Sequence, residues 1–283
     1  MTATRVDVLG VTLDAQTLDE AVDAIGRWIA GRRPTYVCVT GVHGVVECQD
    51  DGDLRRIHRD AGMVTTDGMP LVWLARRRVP PGTPVERVYG PDLMLAAFAR
   101  SERTGWRHFL YGATPDTLGR LEARLAEWFP GAAVVGTLSP PFRPLDAEEE
   151  RAEVERIRTA RPDLVWVGLS TPKQERWMAA HVGQVYAPVL VGVGAAFDFH
   201  AGVKRQAPGW VRRSGLEWAF RLASEPRRLA GRYLRSNPRF VWLLARAAWR
   251  RHAPRPGEPP RRGAGRSNGT RPGETPLGKA PFT

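Results

Sequence analysis

The sequence is poor in cysteine, lacks long apolar runs and has few acidic side chains near its C-terminus. Two cysteines in 283 residues, Cys38 and Cys48, exclude a disulfide-stabilised scaffold and a zinc site with four thiolate ligands. A membrane-spanning helix needs about 18 apolar residues, and the best apolar run, residues 189–197, has about half that length. The first ten residues contain no apolar stretch typical of a signal peptide. We therefore expect a cytoplasmic protein, unless something holds it to a surface.

The positive charge is concentrated in the C-terminal part of the chain. Residues 204–251 contain 13 basic and 2 acidic side chains, a net charge of +11, whereas residues 1–203 have a net charge of −3. Such an asymmetry usually indicates an anionic partner, which can be nucleic acid, an acidic membrane or a phosphorylated ligand. The alternative is a solvated basic face without a partner. Residues 253–283 are rich in Pro, Gly and Arg, and we expect them to be disordered.

Strand-like and helix-like segments alternate through the first 203 residues. Thr17 to Glu20 form a capping box before a helical pattern. This alternation predicts an α/β fold with a mostly parallel, Rossmann-like sheet flanked by helices. We expect residues 1–203 to form this α/β body, with a basic helical appendage at 204–252 and a disordered tail at 253–283. The predicted strands are residues 36–40, 63–66, 108–111, 133–135, 163–168 and 188–193.

The loops after the predicted strands are the candidate sites for chemistry, because ligands of parallel α/β sheets bind at the carboxyl ends of strands. Asp67 follows a strand and could act as a general base, although an Asp-Gly pair is also common where a carboxylate caps a helix or a turn. The helix start at Thr171 to Glu175, with Lys173, would suit a phosphate, but it is equally consistent with an ordinary helix start.

Other motifs argue against common cofactors. Gly192 and Gly194 belong to a dinucleotide-binding pattern that lacks its third glycine, so they more simply allow close approach to another ligand or a tight turn. The stretch Asp51 to Asp53 is similar to a metal-binding Asp-x-Asp motif, but its hydrophilic surroundings favour a solvated helix cap. The six histidines show no paired ligand spacing. We expect no metal ion and no cofactor.

The basic segment contains an amphipathic pattern. Asn237 and Pro238 suit the start of a helix. The pattern that follows is typical of a helix at a membrane interface, held by anionic lipid. The alternative is a helix packed on the body with solvated arginines. One face carries Phe240, Val241, Leu244, Ala245 and Ala248, another carries Arg239, Arg246 and Arg250, and Trp242 and Trp249 share a flank.

A set of motifs in a fixed order extends over about residues 5–235: Thr40, Asp67-Gly68, Glu86 to Gly90, Pro172 to Glu175, Gly192 to Phe199, Gly202, Ala207-Pro208, Gly215 to Trp218, Arg221, Glu225 to Arg228 and Arg232-Tyr233. Together these motifs resemble the WecG/TagA/CpsF family of bacterial glycosyltransferases, family 26. The resemblance implies a hexosyltransferase that moves a sugar from a UDP-sugar to a polyprenyl-diphosphate-linked sugar, with inversion and without an obligatory metal ion. Such enzymes make cell-surface polysaccharides at the inner face of the cytoplasmic membrane.

The resemblance also implies roles for individual residues. Asp67 would be the general base, Thr40 would lie near the sugar, and Arg87 would hold a diphosphate or an acceptor phosphate. Gln174 and Asp198 would line the nucleotide site.

The resemblance further assigns Arg221 and Arg228 to an appendage that closes over the site and touches the membrane. These arginines could neutralise the departing UDP in place of a metal ion. Val42 departs from the pattern, because many members have Asn there, and this leaves the donor sugar open. N-acetylmannosamine is the best-known donor of the family.

Two other classes of function compete with the transferase. A nucleic-acid-binding protein would use the basic segment, but the sequence contains no recognised nucleic-acid module. A dinucleotide-dependent oxidoreductase would need the glycine that is missing after Gly194. The acceptor glycan and the oligomeric state, a homo-oligomer included, are left open by the sequence.

Overall fold

The structure is a computed structural model that describes residues 4–252 of the chain. The predicted tail, residues 253–283, lies outside the described residues, and side chains are described as far as Arg250. Within the described part of the chain, no helix is long and apolar enough to cross a membrane.

The strands of the described residues form two sheets. β1 (Thr4–Val8) and β2 (Val11–Ala15) pair as an antiparallel hairpin. Six further strands pair in parallel, in the order β4-β3-β8-β7-β5-β6. The predicted α/β fold with a mostly parallel sheet is therefore confirmed. These six strands are β3 (Thr35–Thr40), β4 (Met63–Thr66), β5 (Arg107–Gly112), β6 (Ala133–Leu138), β7 (Leu164–Gly168) and β8 (Val189–Gly192).

Helices connect the strands and continue beyond the last of them. Capping boxes at Thr17 and Asp146 fix the starts of the first and the seventh helix. The helices are α1 (Leu18–Ala30), α2 (Val42–Asp50), α3 (Gly52–Asp60), α4 (Met69–Arg76), α5 (Gly90–Thr104), α6 (Pro115–Trp128), α7 (Ala147–Ala160), α8 (Lys173–His181), α9 (Ala196–His200), α10 (Gly209–Ser214), α11 (Glu217–Ser224) and α12 (Pro226–His252).

The helices cover both faces of the parallel sheet. On one face, buried residues of α2, α3, α4, α7 and α8 pack against the strands, for example Leu54 and Met178. On the other face, buried residues of α1, α5, α6 and α9 do so, for example Phe98 and Phe197. Because both faces are covered, the inner strands are mostly buried, and the edge formed by the strand ends is where a ligand can enter.

The β1–β2 hairpin has no counterpart among the predicted strands. Its turn residues, Leu9 and Gly10, have positive φ angles of 57° and 78°, which suits the twist of a two-residue hairpin turn. Asp14 of β2 accepts a 2.7 Å hydrogen bond from the backbone N–H of Val64 in β4. The hairpin therefore protects β4, which is an edge strand of the parallel sheet.

The appendage, residues 204–252, contains α10, α11 and α12. α12 runs without a break through Pro238, so the predicted helix start at Asn237 and Pro238 is wrong. Proline lacks the N–H that would bind the backbone O of Leu234, so one hydrogen bond of the helix is absent at this exposed position. Phe240 and Leu244 pack against the core of the body and hold the second half of the helix in line.

Candidate active site

A cleft of about 1190 Å³ lies at the carboxyl edge of the parallel sheet. The loops after β3, β4, β5, β7 and β8 line one side of it, and residues of α10, α11 and α12 line the other. Parallel α/β sheets bind their ligands at this edge. The body and the appendage therefore both contribute side chains to one site.

Asp67 is the first residue after β4 and lines the cleft. Its backbone N–H donates to the backbone O of Thr40 at 3.0 Å, which fixes the turn. The N-cap of α4 is Gly68, and no side chain caps that helix, so the alternative that Asp67 caps α4 is wrong. Oδ1 of Asp67 has no hydrogen-bond partner within the described part of the chain.

The surroundings of Asp67 raise its pKa from 3.8 to about 6. Burial is the largest cause, because a charged carboxylate loses its hydration, and the like charge of Glu217 adds to it. Arg87, Arg221 and the N–H of Gly90 lower the pKa. The side chain is 29% exposed, and this exposed part opens to the cleft. At neutral pH such a carboxylate is ionised and still basic enough to accept a proton from a bound hydroxyl.

Arg87 is held by several neighbours. Its Nε donates to the backbone O of Asp67, and its Nη2 lies 3.7 Å from Oδ1 of the same residue. Nη1 forms a 2.7 Å ion pair with Glu217 and donates to the backbone O of Arg212 at 3.4 Å. Its Cζ lies 3.9 Å from the ring centre of Tyr89. Protein groups thus occupy most of its donors, and its contact with a phosphate stays a prediction.

Thr40 lies beneath the cleft and is not among the residues that line it. Its Oγ1 is 3.0 Å from Nε2 of His58 and 3.3 Å from the backbone O of Cys38. Nδ1 of His58 lies 2.9 Å from the backbone O of Leu54 and must donate to it, so Nε2 accepts from Thr40. The hydroxyl predicted to lie near the sugar is therefore turned into the core, and Thr40 supports the site through the backbone O that holds Asp67.

Gln174 and Gly194 lie on the body side of the cleft, close to Gly192 at the end of β8. The Gln174 side chain is buried, its Nε2 donates to Glu175 at 3.1 Å, and its Oε1 has no partner in residues 4–252. A Cβ at Gly192 would lie 2.8 Å from Met178, so this glycine lets α8 pack on β8. Gly194, with a φ of 54°, turns the chain past Gln174. This buried Oε1 beside Gly194 has no partner in the described residues, and the contact of Gln174 with a ligand stays a prediction.

Asp198 lines the cleft and forms an ion pair with Lys204 of the appendage. Lys204 also lies 3.6 Å from Glu225. Glu225 binds the guanidinium of Arg228 through two hydrogen bonds of 2.5 and 2.7 Å, so the charge of Arg228 is balanced. Lys173, the first residue of α8, is exposed and also lines the cleft.

Arg221 differs from Arg228 because its charge has no close counter-ion. Its Cζ lies 5.5 Å from the ring centre of Phe199, its Nε has no hydrogen-bond partner, and no carboxylate of the described residues lies within 4.0 Å. Arg232 also lines the cleft, and burial together with the charges of Arg228 and Arg221 lowers its pKa. This excess of positive charge suits an anionic ligand.

Glu217 and Tyr89 complete the site, although the sequence patterns assigned no role to either. The hydroxyl of Tyr89 donates to Oε1 of Glu217 at 3.0 Å. Residues 204–251 contain 13 basic side chains and only 2 acidic ones, of which Glu217 is one. An acidic residue in so basic a segment is the sequence signal that could have revealed Glu217.

The stretch Asp51 to Asp53 forms a helix cap, as predicted. Asp51 is the N-cap of α3, and its side chain accepts from the backbone N–H of Leu54 at 2.9 Å. It also forms an ion pair with Arg176. Within residues 4–252, no group of three His, Cys, Asp or Glu side chains could hold a metal ion.

A model of the glycosyl transferase WecG/TagA/CpsF family matches residues 6–254, a span that contains the whole cleft. The chain belongs to this family. The membership confirms the resemblance and the prediction of a hexosyltransferase, and it favours that activity over the nucleic-acid-binding and oxidoreductase alternatives.

Proteins of three Staphylococcus aureus strains, MW2, NCTC 8325 / PS 47 and COL, are similar to this chain. Each is 27% identical over 245 residues, which is 86% of this chain and 93% of the relative. Each is named N-acetylglucosaminyldiphosphoundecaprenol N-acetyl-beta-D-mannosaminyltransferase. The relatives therefore share nearly their full length with this glycosyltransferase.

Proposed function

We propose that this protein transfers a sugar from a UDP-sugar to the sugar of a polyprenyl-diphosphate-linked acceptor, with inversion and without a metal ion, in the synthesis of a cell-surface polysaccharide. The observation that carries the proposal is the cleft in which Asp67, with its raised pKa, faces arginines of the appendage. The names of the relatives, which specify an N-acetylglucosamine acceptor on diphosphoundecaprenol, support the acceptor class.

Asp67 supplies the proton acceptor for this reaction. The acceptor hydroxyl loses its proton to the Asp67 carboxylate while its oxygen attacks the anomeric carbon of the donor. The bond from that carbon to the UDP diphosphate breaks on the opposite face, so the configuration inverts. The electron pair of that bond leaves with UDP, and the proton ends on Asp67.

Cationic side chains can stabilise the leaving diphosphate without a metal ion. Arg221 and Arg232 carry charges that no close carboxylate within residues 4–252 balances, and both line the cleft. Preorganised cations of this kind are most effective where charge develops in the transition state. Gln174, through its free Oε1, and Asp198, if Lys204 releases it, suit the donor groups of the base and ribose.

The appendage suits attachment to the inner face of the cytoplasmic membrane. Phe240 and Leu244 pack on the body, whereas Trp242 and Trp249 are 55% and 71% exposed. The amphipathic helix thus packs on the body, as the alternative arrangement has it, and still exposes tryptophans among arginines, which supports membrane contact as part of this proposal. Such a surface binds anionic lipid.

Replacing both Trp242 and Trp249 with alanine is expected to weaken binding to vesicles that contain phosphatidylglycerol by about tenfold or more, because two exposed apolar side chains are lost. Co-sedimentation with vesicles measures this. Trp128→Ala is the matched control, since Trp128 is 41% exposed on α6 of the body. Equal binding by the double variant and the control would contradict attachment through α12.

A donor screen tests the proposed function directly. The full-length protein is incubated with a panel of UDP-sugars and a short-chain polyprenyl-diphosphate N-acetylglucosamine, in EDTA and in Mg²⁺. Mass spectrometry should show a product heavier by one sugar in both buffers, and NMR should show the inverted anomer. No product from any donor would contradict the activity, and product in Mg²⁺ alone would contradict metal independence.

A further inference from the structure

Glu217 is a carboxylate that the appendage places beside Asp67. It is the first residue of α11, and its side chain is 12% exposed. A carboxylate removed from water in this way is unfavourable unless other groups pair with it. The groups that pair with the Glu217 carboxylate therefore indicate what this residue does beside Asp67.

One oxygen of Glu217 accepts a hydrogen bond from the body, and the other forms an ion pair with it without hydrogen-bond geometry. Oε1 accepts from the hydroxyl of Tyr89 at 3.0 Å, and Oε2 lies 2.7 Å from Nη1 of Arg87. The guanidinium of Arg87 also stacks on the ring of Tyr89, with 3.9 Å between Cζ and the ring centre. These three side chains join the start of α11 to the segment that precedes α5.

Arg87 is thus shared unequally between two carboxylates. Its Nη1 is 2.7 Å from Glu217, whereas its Nη2 is 3.7 Å from Oδ1 of Asp67, which is too far for a hydrogen bond. Oδ1 of Asp67 is buried and has no hydrogen-bond donor within the described residues. A carboxylate that is not hydrogen-bonded to a guanidinium keeps the higher pKa and is the stronger base.

We propose that Glu217 is a positioning residue for sugar transfer: when the appendage is docked, Glu217 and Tyr89 hold Arg87 back from Asp67 and so leave the Asp67 carboxylate free to bind the acceptor hydroxyl. This inference rests on the proposed function of Asp67 as the general base. The appendage would then do more than bind UDP and lipid. Asp67 has the surroundings that a general base needs only when α11 places Glu217 beside Arg87.

The groups that face Asp67 come from residues 87–90, from α11 and from α12. The first segment contributes the side chains of Arg87 and Tyr89 and the N–H of Gly90. α11 contributes Glu217 and Arg221, and α12 contributes Tyr233. Burial raises the pKa of both tyrosines, so they are neutral at working pH. Neutralising Glu217 removes a charge that raises the pKa of Asp67 and also frees Arg87 to approach Asp67, so both effects lower that pKa.

The test is Glu217→Gln in the full-length protein. The acidic limb of the pH profile of kcat/KM is expected to move down by about one pH unit, and kcat is expected to fall about tenfold with little change in KM. The pKa of Asp67 is also measured without substrate by ¹³C NMR of aspartate-labelled protein, with Asp67→Asn used to assign its resonance. It should fall in parallel.

Three further variants make the test specific. Glu155→Gln removes an exposed carboxylate that pairs with Arg158 on α7 and should change neither readout. Glu217→Asp keeps the charge and should restore part of the wild-type profile. Tyr89→Phe removes one hydrogen bond to Glu217 and should move the profile in the same direction as Glu217→Gln, by less. These variants separate the charge of Glu217 from a general effect on folding.

An unchanged Asp67 pKa in a folded Glu217→Gln protein would overturn the inference. The proposed function fails in a different way, through a wild-type protein that transfers no sugar while the NMR titration still shows the shift. A parallel shift in the NMR titration and in the pH profile would support both.

Discussion

Replacing Asp67 with asparagine is expected to lower the transfer rate roughly 10²- to 10⁴-fold, because the acceptor hydroxyl loses its proton acceptor. Asparagine keeps the size of the side chain and leaves Arg87 with Glu217, so the affinity for UDP should stay within about twofold of the wild-type value. Single-turnover kinetics and calorimetric titration with UDP measure the two quantities separately.

The raised pKa of Asp67 gives this variant two further signatures. In the wild-type protein, kcat/KM should rise with pH and level off above about pH 6, where the carboxylate is ionised. Because the folded-state pKa lies above 3.8, the contribution of Asp67 to stability is fully present below about pH 4 and is lost as the pH rises through about 6. Asp67→Asn should therefore unfold at higher urea than wild type at pH 7.5, with the difference disappearing near pH 4.

Asp53→Asn provides the control, since Asp53 is exposed on α3 and pairs with Arg56. It should leave turnover unchanged. A wild-type rate in Asp67→Asn would remove Asp67 from the mechanism, and an acidic limb far from pH 6 would show that another group controls it.

Replacing Arg221 with alanine is expected to lower kcat roughly 10²- to 10³-fold, because a cation positioned for the leaving diphosphate is lost. Arg221 is the stronger choice over Arg228, since Glu225 already balances the charge of Arg228. The affinity for UDP should also fall, because the same charge that stabilises the transition state binds the product. Stopped-flow transfer assays and UDP titrations measure both effects.

Arg227→Ala is the matched control, because Arg227 is exposed in the same basic segment and does not line the cleft. Arg221→Lys keeps a charge but loses the planar guanidinium over Phe199, and it should recover part of the rate. Equal rates for Arg221→Ala and Arg227→Ala would show that the basic segment acts through its overall charge rather than through Arg221.

Local patterns were sufficient to predict the main sheet and the position of its ligand edge. Each predicted strand is a short apolar run, and the inner strands are buried on both faces of the parallel sheet, which is the environment such runs favour, whereas β6 at the sheet edge is mostly half-buried. The hairpin was missed although Val6, Val8, Val11 and Leu13 alternate with polar residues around Gly10, which is a readable signal.

Other features depend on contacts that no local pattern contains. Asn237 and Pro238 were predicted to start a helix, because these residue types suit an N-cap and a first helical position, but α12 runs through them and Phe240 packs on the body. The hydroxyl of Thr40 turns towards His58, 18 residues away in the chain. Tyr89 and Glu217 are separated by 128 residues, so their hydrogen bond could not be predicted from either motif alone.

The link between Arg87 and Glu217 constrains how C-terminal segments can be exchanged among relatives of this protein. A chimaera that joins residues 1–203 of this chain to another protein's appendage would keep the core of the parallel sheet. Arg87 would lack its ion-pair partner wherever that appendage has no acidic residue at the first turn of α11. Recombination therefore has to keep the residues on both sides of this contact together. Substitutions at positions 87, 89 and 217 should be correlated across natural sequences.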